Sequence, residues 1–387
     1  MKTSNNKKVI IIGGNLRNKG AWLMSDVVIT KLTKELDVFF FTPFPEDVKV
    51  FKEYYSEYSI QDVIVWEPYN ILLSFIKLPF KKFFNDPVSI AFKESQLVVD
   101  ISGVVFVQKR GIKYLIYNSL ITLIPYFYGL KIIKLPQSFG PITTNWYKII
   151  ARYVLRKCLI IFSRGPLSYK TLKEIGIDSV ESTDITFLKE TSNKIISYQD
   201  KKIAVISPSV ILEKEFEKTS IDYVEILEDI INYLLSCGYL IQIFPNSVSK
   251  NYKNNFDDLS ICKKLNKKFV ENSSVKSFLS DLNPLEIEGI IKNADILVTS
   301  RYHSMILGLN NCVVPIVMGW NQKYLEILSQ FKLENNYISR FENKNNLMSK
   351  VHDIVKNQTQ DKKNIENLLK LQKKRVAKLE VELKKFI

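Results

Sequence analysis

The chain has 387 residues, of which 46% are hydrophobic and 25% are charged, and this composition excludes a disordered protein. Its length predicts two domains, and its formal net charge of +15 favours anionic partners such as nucleic acid, acidic lipids or phosphorylated substrates. A lysine-rich composition explains the charge better than nucleic-acid binding, because no nucleic-acid motif accompanies it, so we expect no nucleic-acid partner. The four cysteines show no C-x-x-C spacing, so we expect no metal site of that type and a reducing cytoplasm.

The N-terminal half alternates strands and helices. Residues 9–14 are a β-branched run that predicts a buried parallel strand, which a helix and a second strand at 38–42 follow. Further strands are predicted at the start of three segments: 95–103, which ends in a turn, 130–141, which ends in a loop, and 158–176, which ends in a helix. This alternation predicts a parallel sheet covered by helices.

The C-terminal half repeats the pattern after a polar segment, 188–202, that predicts a linker. Strands are predicted at 203–209, 239–247, 296–300 and 313–319, with helices between them. The fold class is therefore α/β, with two Rossmann-like, doubly wound domains at 1–190 and 201–360 and a cleft between them. Residues 361–387 carry one apolar stripe, which predicts a C-terminal amphipathic helix that packs on the body.

Two apolar segments bear on membranes. The longest apolar region, residues 115–135, is interrupted by Asn118, Pro125 and Gly129, and the apolar run at the N-terminus is too short for a signal peptide, so we expect a cytoplasmic protein. Residues 71–84 mix aliphatic residues, Phe and Lys, which is typical of a peripheral contact with an anionic membrane or of a buried helix with a basic edge. Of these two interpretations we favour the buried helix.

Ligands of open α/β sheets bind at the carboxyl ends of the strands, so the loops there are the candidate sites. In the first domain these loops offer small residues and amide or hydroxyl groups that suit hydrogen bonding to a sugar. The candidates are Gly14 and Asn15, Ser102 and Gly103, and Gln137 and Ser138. The glycine spacing does not match a dinucleotide or P-loop motif, and a purely structural turn is an equal alternative at Gly14.

Arg164 ends a predicted strand directly before a helix that Pro166 begins. A guanidinium beside a helix N-terminus suits a carboxylate or a phosphate, which predicts an anion clamp. A surface arginine without a role is the alternative.

The strongest candidate site is the segment SRYHSM at 300–305. A strand delivers Ser300, Arg301 and His303 into a turn before a helix. A guanidinium holds an oxyanion while an imidazole moves protons near neutral pH, although a lone histidine is more often structural. Lys323 follows the next strand, where it is either a second cation for a phosphate or a solvated lysine.

Residues 294–328 resemble the C-terminal hallmark of the polysaccharide pyruvyltransferase family. Residues 136–141, 162–176 and 182–187 resemble the family's N-terminal signatures in the expected order. The resemblance implies a GT-B-like fold and transfer of a pyruvyl group from phosphoenolpyruvate onto a sugar of a cell-surface polysaccharide or its lipid-linked precursor, as a ketal. It also implies an acceptor on the first domain, the donor on the second, and no cofactor besides the donor substrate.

The same resemblance assigns roles. Arg301 and His303 match the essential R-x-H pair of the family, and Arg164 matches the arginine of its S-R-E-type motif. Gly165 replaces the acidic residue of that motif, and Asn246 stands where a histidine is common. These matches imply that the arginines hold the phosphoenolpyruvate and that His303 is the general acid, either on the methylene carbon or at the departing phosphate.

Two other functions fit the residues. A nucleotide-sugar glycosyltransferase would use the same two-domain fold with a nucleoside diphosphate in the second domain. A non-catalytic protein that binds glycans or a membrane surface would explain residues 71–84 and the basic charge.

Overall fold

The computed structural model describes residues 7–33, 36–190, 201–219, 221–248, 257–319, 322–339 and 342–385. The chain forms two compact units. The first contains Met1–Lys189 and Lys374–Ile387, and the second contains Glu190–Lys373. Most of the predicted linker, residues 191–200, lies outside the described residues. Each unit is an α/β structure around one parallel sheet, which confirms the predicted fold class.

Among the described residues, eight strands form the sheet of the first unit. They are β1 (Lys8–Ile12), β2 (Asp37–Thr42), β3 (Ile60–Val65), β4 (Leu97–Asp100), β5 (Val104–Val105), β6 (Lys131–Phe139), β7 (Ile160–Arg164) and β8 (Val180–Ser182). The sheet order is β3-β2-β1-β4-β6-β7-β8, with β5 paired to β6. Because the strand order reverses between β1 and β4, the carboxyl ends of these two strands form a topological switch point, where ligands of such sheets bind.

Within the ranges that the structure describes, seven helices cover this sheet. They are α1 (Lys19–Leu32), α2 (Asp47–Tyr54), α3 (Pro68–Lys77), α4 (Pro87–Glu94), α5 (Ile112–Tyr128), α6 (Asn145–Leu155) and α7 (Pro166–Glu174), with 3₁₀ segments at Leu78–Phe83, Gln108–Arg110 and Ile185–Leu188. Right-handed crossovers place α1 and α2 on one face and α3 to α7 on the other. As predicted, Pro166 begins α7. Gly176 follows the end of this helix with a φ of +69°.

The predicted loop at 136–141 is partly wrong, because Gln137 and Ser138 lie within β6. The pairing of β6 with β7 shifts between Lys134 and Gln137, where Pro136 has no N–H to donate to the ladder. The strand then resumes because β5 pairs with its last residues, Ser138 and Phe139. The sequence pattern did not indicate β5, because a strand of two residues is too short to be recognised as an apolar run.

In the part of the second unit that the structure describes, six strands form a sheet in the order β11-β10-β9-β12-β13-β14, all parallel. They are β9 (Lys202–Ser207), β10 (Tyr239–Ile243), β11 (Val275–Ser277), β12 (Ile296–Thr299), β13 (Val314–Gly319) and β14 (Tyr337–Ser339). Its helices are α8 (Val210–Phe216), α9 (Tyr223–Ser236), α10 (Leu259–Phe269), α11 (Pro284–Ile291), α12 (Tyr302–Asn310), α13 (Gln322–Gln330) and α14 (Lys344–Lys384), with a 3₁₀ segment at Glu334–Asn336. The switch point of this sheet lies between β9 and β12.

The last helix, α14, begins at Lys344, which is earlier than the predicted start at 361. Its final part, from Lys374, belongs to the first unit, where Leu379 and Leu383 pack in one core with residues of α1. This packing follows from the apolar stripe of the sequence. None of the helices in the described ranges is long and apolar enough to cross a membrane.

Candidate active site

The turn after β12 is fixed by two buried tyrosines. Ser300 is 1% exposed, its Oγ lies 2.8 Å from the hydroxyl of Tyr223, and its carbonyl accepts the hydroxyl of Tyr324 at 2.9 Å. Burial raises the pKa of both tyrosines, so each remains a neutral hydroxyl. Ser300 therefore holds the turn in place, and its predicted role in substrate binding remains a prediction.

Arg301 is held by a carboxylate that the sequence analysis missed. Its Nε donates to Asp258 Oδ2 at 2.8 Å, and its Nη2 forms a second bond, to Asp258 Oδ1. The same carboxylate accepts the backbone N–H groups of Val210 and Ser247, each at 3.0 Å. Burial raises the pKa of Asp258, and the guanidinium and the two N–H groups oppose that rise. One buried carboxyl thus ties the ends of β9, β10 and β12 together around Arg301.

His303 lies in the first turn of α12, whose N-cap is Arg301. The imidazole is half-buried and meets the ring of Tyr302 edge-on, with the centroids 5.2 Å apart. The next residue, Ser304, donates to the side-chain oxygen of Asn246 at 2.9 Å. The positive end of the helix dipole favours an anion at this turn.

Lys323 belongs to the same cluster. Its ammonium lies 4.9 Å from the ring centroid of Tyr302 and 5.3 Å from that of Tyr324. Cation–π contacts of this length hold a lysine beside an aromatic surface. The structure thus places Ser300, Arg301, His303 and Lys323 in one region of the second unit, and their roles in catalysis and substrate binding remain predictions.

Arg164 is buried in the first unit, so the alternative of a surface arginine is wrong. It is 4% exposed, and its Nη1 pairs with the buried carboxylate of Asp184 at 2.9 Å. Its Nη2 donates to the carbonyl of Gly103 and to Ser138 Oγ, both at 2.9 Å. Three of the predicted site residues, Gly103, Ser138 and Arg164, therefore meet at the carboxyl end of this sheet. The predicted anion clamp remains a prediction, because this guanidinium is engaged within its own unit.

A buried ion pair organises the switch point of the first sheet. Lys134 and Asp100 are both 0% exposed and pair through Nζ and Oδ2. Burial alone would lower the pKa of Lys134, but the neighbouring Asp100 carboxylate more than offsets it, so that pKa is raised. Asp100 also accepts the backbone N–H of Ser102 at 2.9 Å, and its carbonyl accepts the amide of Gln137 at 2.9 Å. The pair therefore fixes the loop that carries Ser102.

The turn after β1 packs against this loop. Gly13 has a φ of +82°, and a Cβ there would lie 2.7 Å from the backbone nitrogen of Ser102. Gly14 is buried, and a Cβ at this position would overlap the side chains of Ser25 and Phe40. The packing therefore requires glycine here. Asn15 is half-buried, and its side-chain oxygen accepts the backbone N–H of Asn18 at 3.0 Å.

Four buried charges at these sites escaped the sequence analysis: Asp100, Lys134, Asp184 and Asp258. Asp184 lies within the family-like signature at 182–187, and Lys134 interrupts an apolar strand, so the sequence contained a signal that could have identified each of them. Asp258 follows the polar stretch 249–256 and had none. In the described ranges, no group of three or more His, Cys, Asp or Glu could hold a metal ion.

A family model described as polysaccharide pyruvyl transferase matches residues 18–322. Solved structures of similar fold include a UDP-GlcNAc 2-epimerase from Methanocaldococcus jannaschii, with 14% identity and a TM-score of 0.56, covering 89% of this chain and 92% of the other. A glycosyltransferase from Rickettsia africae has 12% identity and a TM-score of 0.55, with 97% and 98% covered. Glycyrrhiza uralensis UGT73P12 has 11% identity and a TM-score of 0.59, with 99% and 96% covered. These likenesses show a GT-B-like fold.

Proposed function

Because the chain belongs to the polysaccharide pyruvyl transferase family and is therefore a transferase, we propose that it moves a pyruvyl group from phosphoenolpyruvate onto a sugar. The product is a ketal that bridges two hydroxyls of the sugar. The acceptor is a cell-surface polysaccharide or its lipid-linked precursor, and the reaction takes place in the cytoplasm without a further cofactor. Membership of this family sets aside the non-catalytic alternative.

The observation that carries the proposal is the arrangement around Arg301. Asp258 holds its guanidinium at the switch point of the second sheet, and His303 follows it in the first turn of α12. Among the described residues, no hydrogen bond or ion pair engages Nη1 of Arg301, so this N–H group is available to an oxyanion. Phosphoenolpyruvate carries a carboxylate and a phosphate, and Arg301, Lys323 and the helix N-terminus offer positive charge for both.

In the proposed reaction, His303 is the general acid. Protonated His303 delivers that proton to the methylene carbon of phosphoenolpyruvate, which becomes a methyl group and leaves C2 electrophilic. The first sugar hydroxyl forms a C–O bond to C2 and returns a proton to His303. The bond between C2 and the phosphate oxygen then breaks, the second hydroxyl closes the ketal, and its proton leaves with the phosphate. Stabilising the oxyanions by fixed positive charge supplies much of the rate.

Phosphate release from phosphoenolpyruvate, in the presence of a panel of lipid-linked and nucleotide-linked sugars, tests this function. We expect His303→Ala to abolish release, whereas His352→Ala, which removes the other histidine of the chain from the exposed side of α14, leaves it unchanged. Near-normal turnover by His303→Ala would contradict the assignment. A thermal shift caused by UDP-sugars and not by phosphoenolpyruvate would favour a nucleotide-sugar glycosyltransferase instead.

A further inference from the structure

The helical layer on one face of the first sheet has an apolar outer surface. Helix α3 contacts α5, and α5 contacts α6 and the 3₁₀ segment Leu78–Phe83. We name their outer surface the α3–α6 face and define it by Phe80, Phe83, Ile112, Ile116, Ile149 and Tyr153, whose exposed fractions run from 52% to 82%. Exposed apolar patches on monomeric proteins mark sites of interaction with a partner or a membrane.

The residues of α3 contradict the buried helix that we favoured from the sequence. Within Pro68–Lys77, Ile71 and Ser74 are the buried residues, while Leu72 and Ile76 are 50% and 60% exposed. The segment that follows exposes its aromatic side chains further, with Phe83 at 82%. The apolar residues of 71–84 therefore point outward to a greater extent than a core helix allows.

Positive charge surrounds the same face. Residues 101–173, which include α5 and α6, contain twelve lysines and arginines, of which Lys134 and Arg164 are buried, and no aspartate or glutamate. Lys109 is exposed in the 3₁₀ segment before α5, Lys113 is exposed in the first turn of α5, and Lys82 is exposed between Phe80 and Phe83. Aromatic and aliphatic tips interleaved with lysines match the region of a bilayer where acyl chains meet anionic headgroups.

These observations distinguish between the partners that could bind the α3–α6 face. A second copy of the chain would bring the same positive charge against itself, which like-charge repulsion disfavours. A nucleic acid would satisfy the lysines but leave the aliphatic side chains in water. We propose that the α3–α6 face docks the protein on an anionic phospholipid bilayer, with Phe80 and Phe83 inserted among the headgroups and Lys82 between the lipid phosphates. This docking is independent of the reaction proposed above.

Vesicle sedimentation with the full chain tests the docking. We expect the protein to sediment with vesicles of phosphatidylcholine and phosphatidylglycerol, to remain in solution with phosphatidylcholine alone, and to be released by salt, which screens the headgroup charge. The double variant Phe80→Ser/Phe83→Ser should lower the partition coefficient about tenfold, because less apolar surface leaves water. The double variant Lys109→Glu/Lys113→Glu should lower it similarly on the anionic vesicles.

Matched control variants lie in the second unit. Val270→Ser/Leu285→Ser removes two side chains that are 65% and 59% exposed, and Lys263→Glu/Lys267→Glu reverses two exposed charges on α10. These controls should sediment as the unchanged protein does, and all four variants should keep its circular dichroism and melting temperature. Failure of the unchanged protein to bind anionic vesicles would overturn the proposal, as would undiminished binding by the two variants of the α3–α6 face. A dimer in solution that Phe80→Ser/Phe83→Ser dissociates would make the face a self-interface and would also overturn it.

Discussion

Asp258 holds Arg301 by two parallel hydrogen bonds, to Nε and Nη2, and also accepts the backbone N–H groups of Val210 and Ser247. The carboxylate is fully buried, whereas the Arg301 side chain keeps 15% exposure. The position of the guanidinium is therefore set by the loops after β9 and β10 as well as by its own turn. Two-point pairing of this kind fixes the plane of an arginine, which a lysine could not reproduce.

We predict that Asp258→Asn impairs both stability and turnover. The amide cannot receive all four donors, and it leaves the positive charge of Arg301 without its partner, so the free energy of unfolding should fall by about 3 kcal/mol. The value of kcat should fall about a hundredfold because the guanidinium is displaced from the donor. Chemical denaturation and phosphate release, measured at a temperature at which the variant is folded, check these two effects.

Asp353→Asn is the control for this change, since Asp353 is exposed on α14. It should leave stability and kcat as they are. A folded Asp258→Asn variant with unchanged kcat would show that the position of Arg301 does not limit the reaction.

Gly13 and Gly129 both have positive φ, at +82° and +89°, but different surroundings. A Cβ on Gly13 would lie 2.8 Å from Asp100 Oδ1, whereas a Cβ on Gly129 would meet no atom within 4 Å. Gly129→Ala should therefore cost about 1–2 kcal/mol, for the backbone conformation alone. Gly13→Ala should cost about 3 kcal/mol or more, because the overlap is added. Equal losses in thermal or denaturant unfolding would show that the turn after β1 yields to the added methyl group.

Much of the fold could be predicted because buried parallel strands are continuous apolar runs. The segment VIIIGG at 9–14 and the segment ILVTS at 296–300 indicated β1 and β12 directly, and the residues that follow each strand indicated both clusters. Two-residue β5 carries no such run, so its pairing with β6 was missed, and Gln137 and Ser138 were assigned to a loop.

The partners of the predicted site residues were harder to predict. Asp258 is 43 residues from Arg301 in the chain and directly follows a polar stretch, so its sequence context is that of an exposed loop. Burial of a charge depends on tertiary contacts that local pattern does not carry. Arg164 shows the same limit, because the sequence indicated its position at a strand end but not the buried Asp184 that engages it.

The pair of Lys134 and Asp100 provides a second stability prediction. Lys134→Met should lower the free energy of unfolding by about 4 kcal/mol, because it leaves the buried Asp100 carboxylate uncompensated. Adding Asp100→Asn should recover most of this loss, since the amide carries no charge and its oxygen still accepts the N–H of Ser102. A double-mutant cycle by urea unfolding measures the coupling. Additive losses would show that the two side chains do not stabilise the fold as a pair.

Arg164→Lys distinguishes a positioning role from the anion clamp that the sequence predicts. A lysine can keep one contact with Asp184 but loses the bonds to Gly103 and Ser138, so we expect about 2 kcal/mol less stability. Since Gly103 and Ser138 are among the residues predicted to bind the acceptor, the KM for the acceptor should rise while the KM for phosphoenolpyruvate stays the same. Both are measured by steady-state phosphate release, with Arg156→Lys, at an exposed position, as the control. A clamp on the donor would give the opposite kinetic result, namely a raised KM for phosphoenolpyruvate with an unchanged KM for the acceptor.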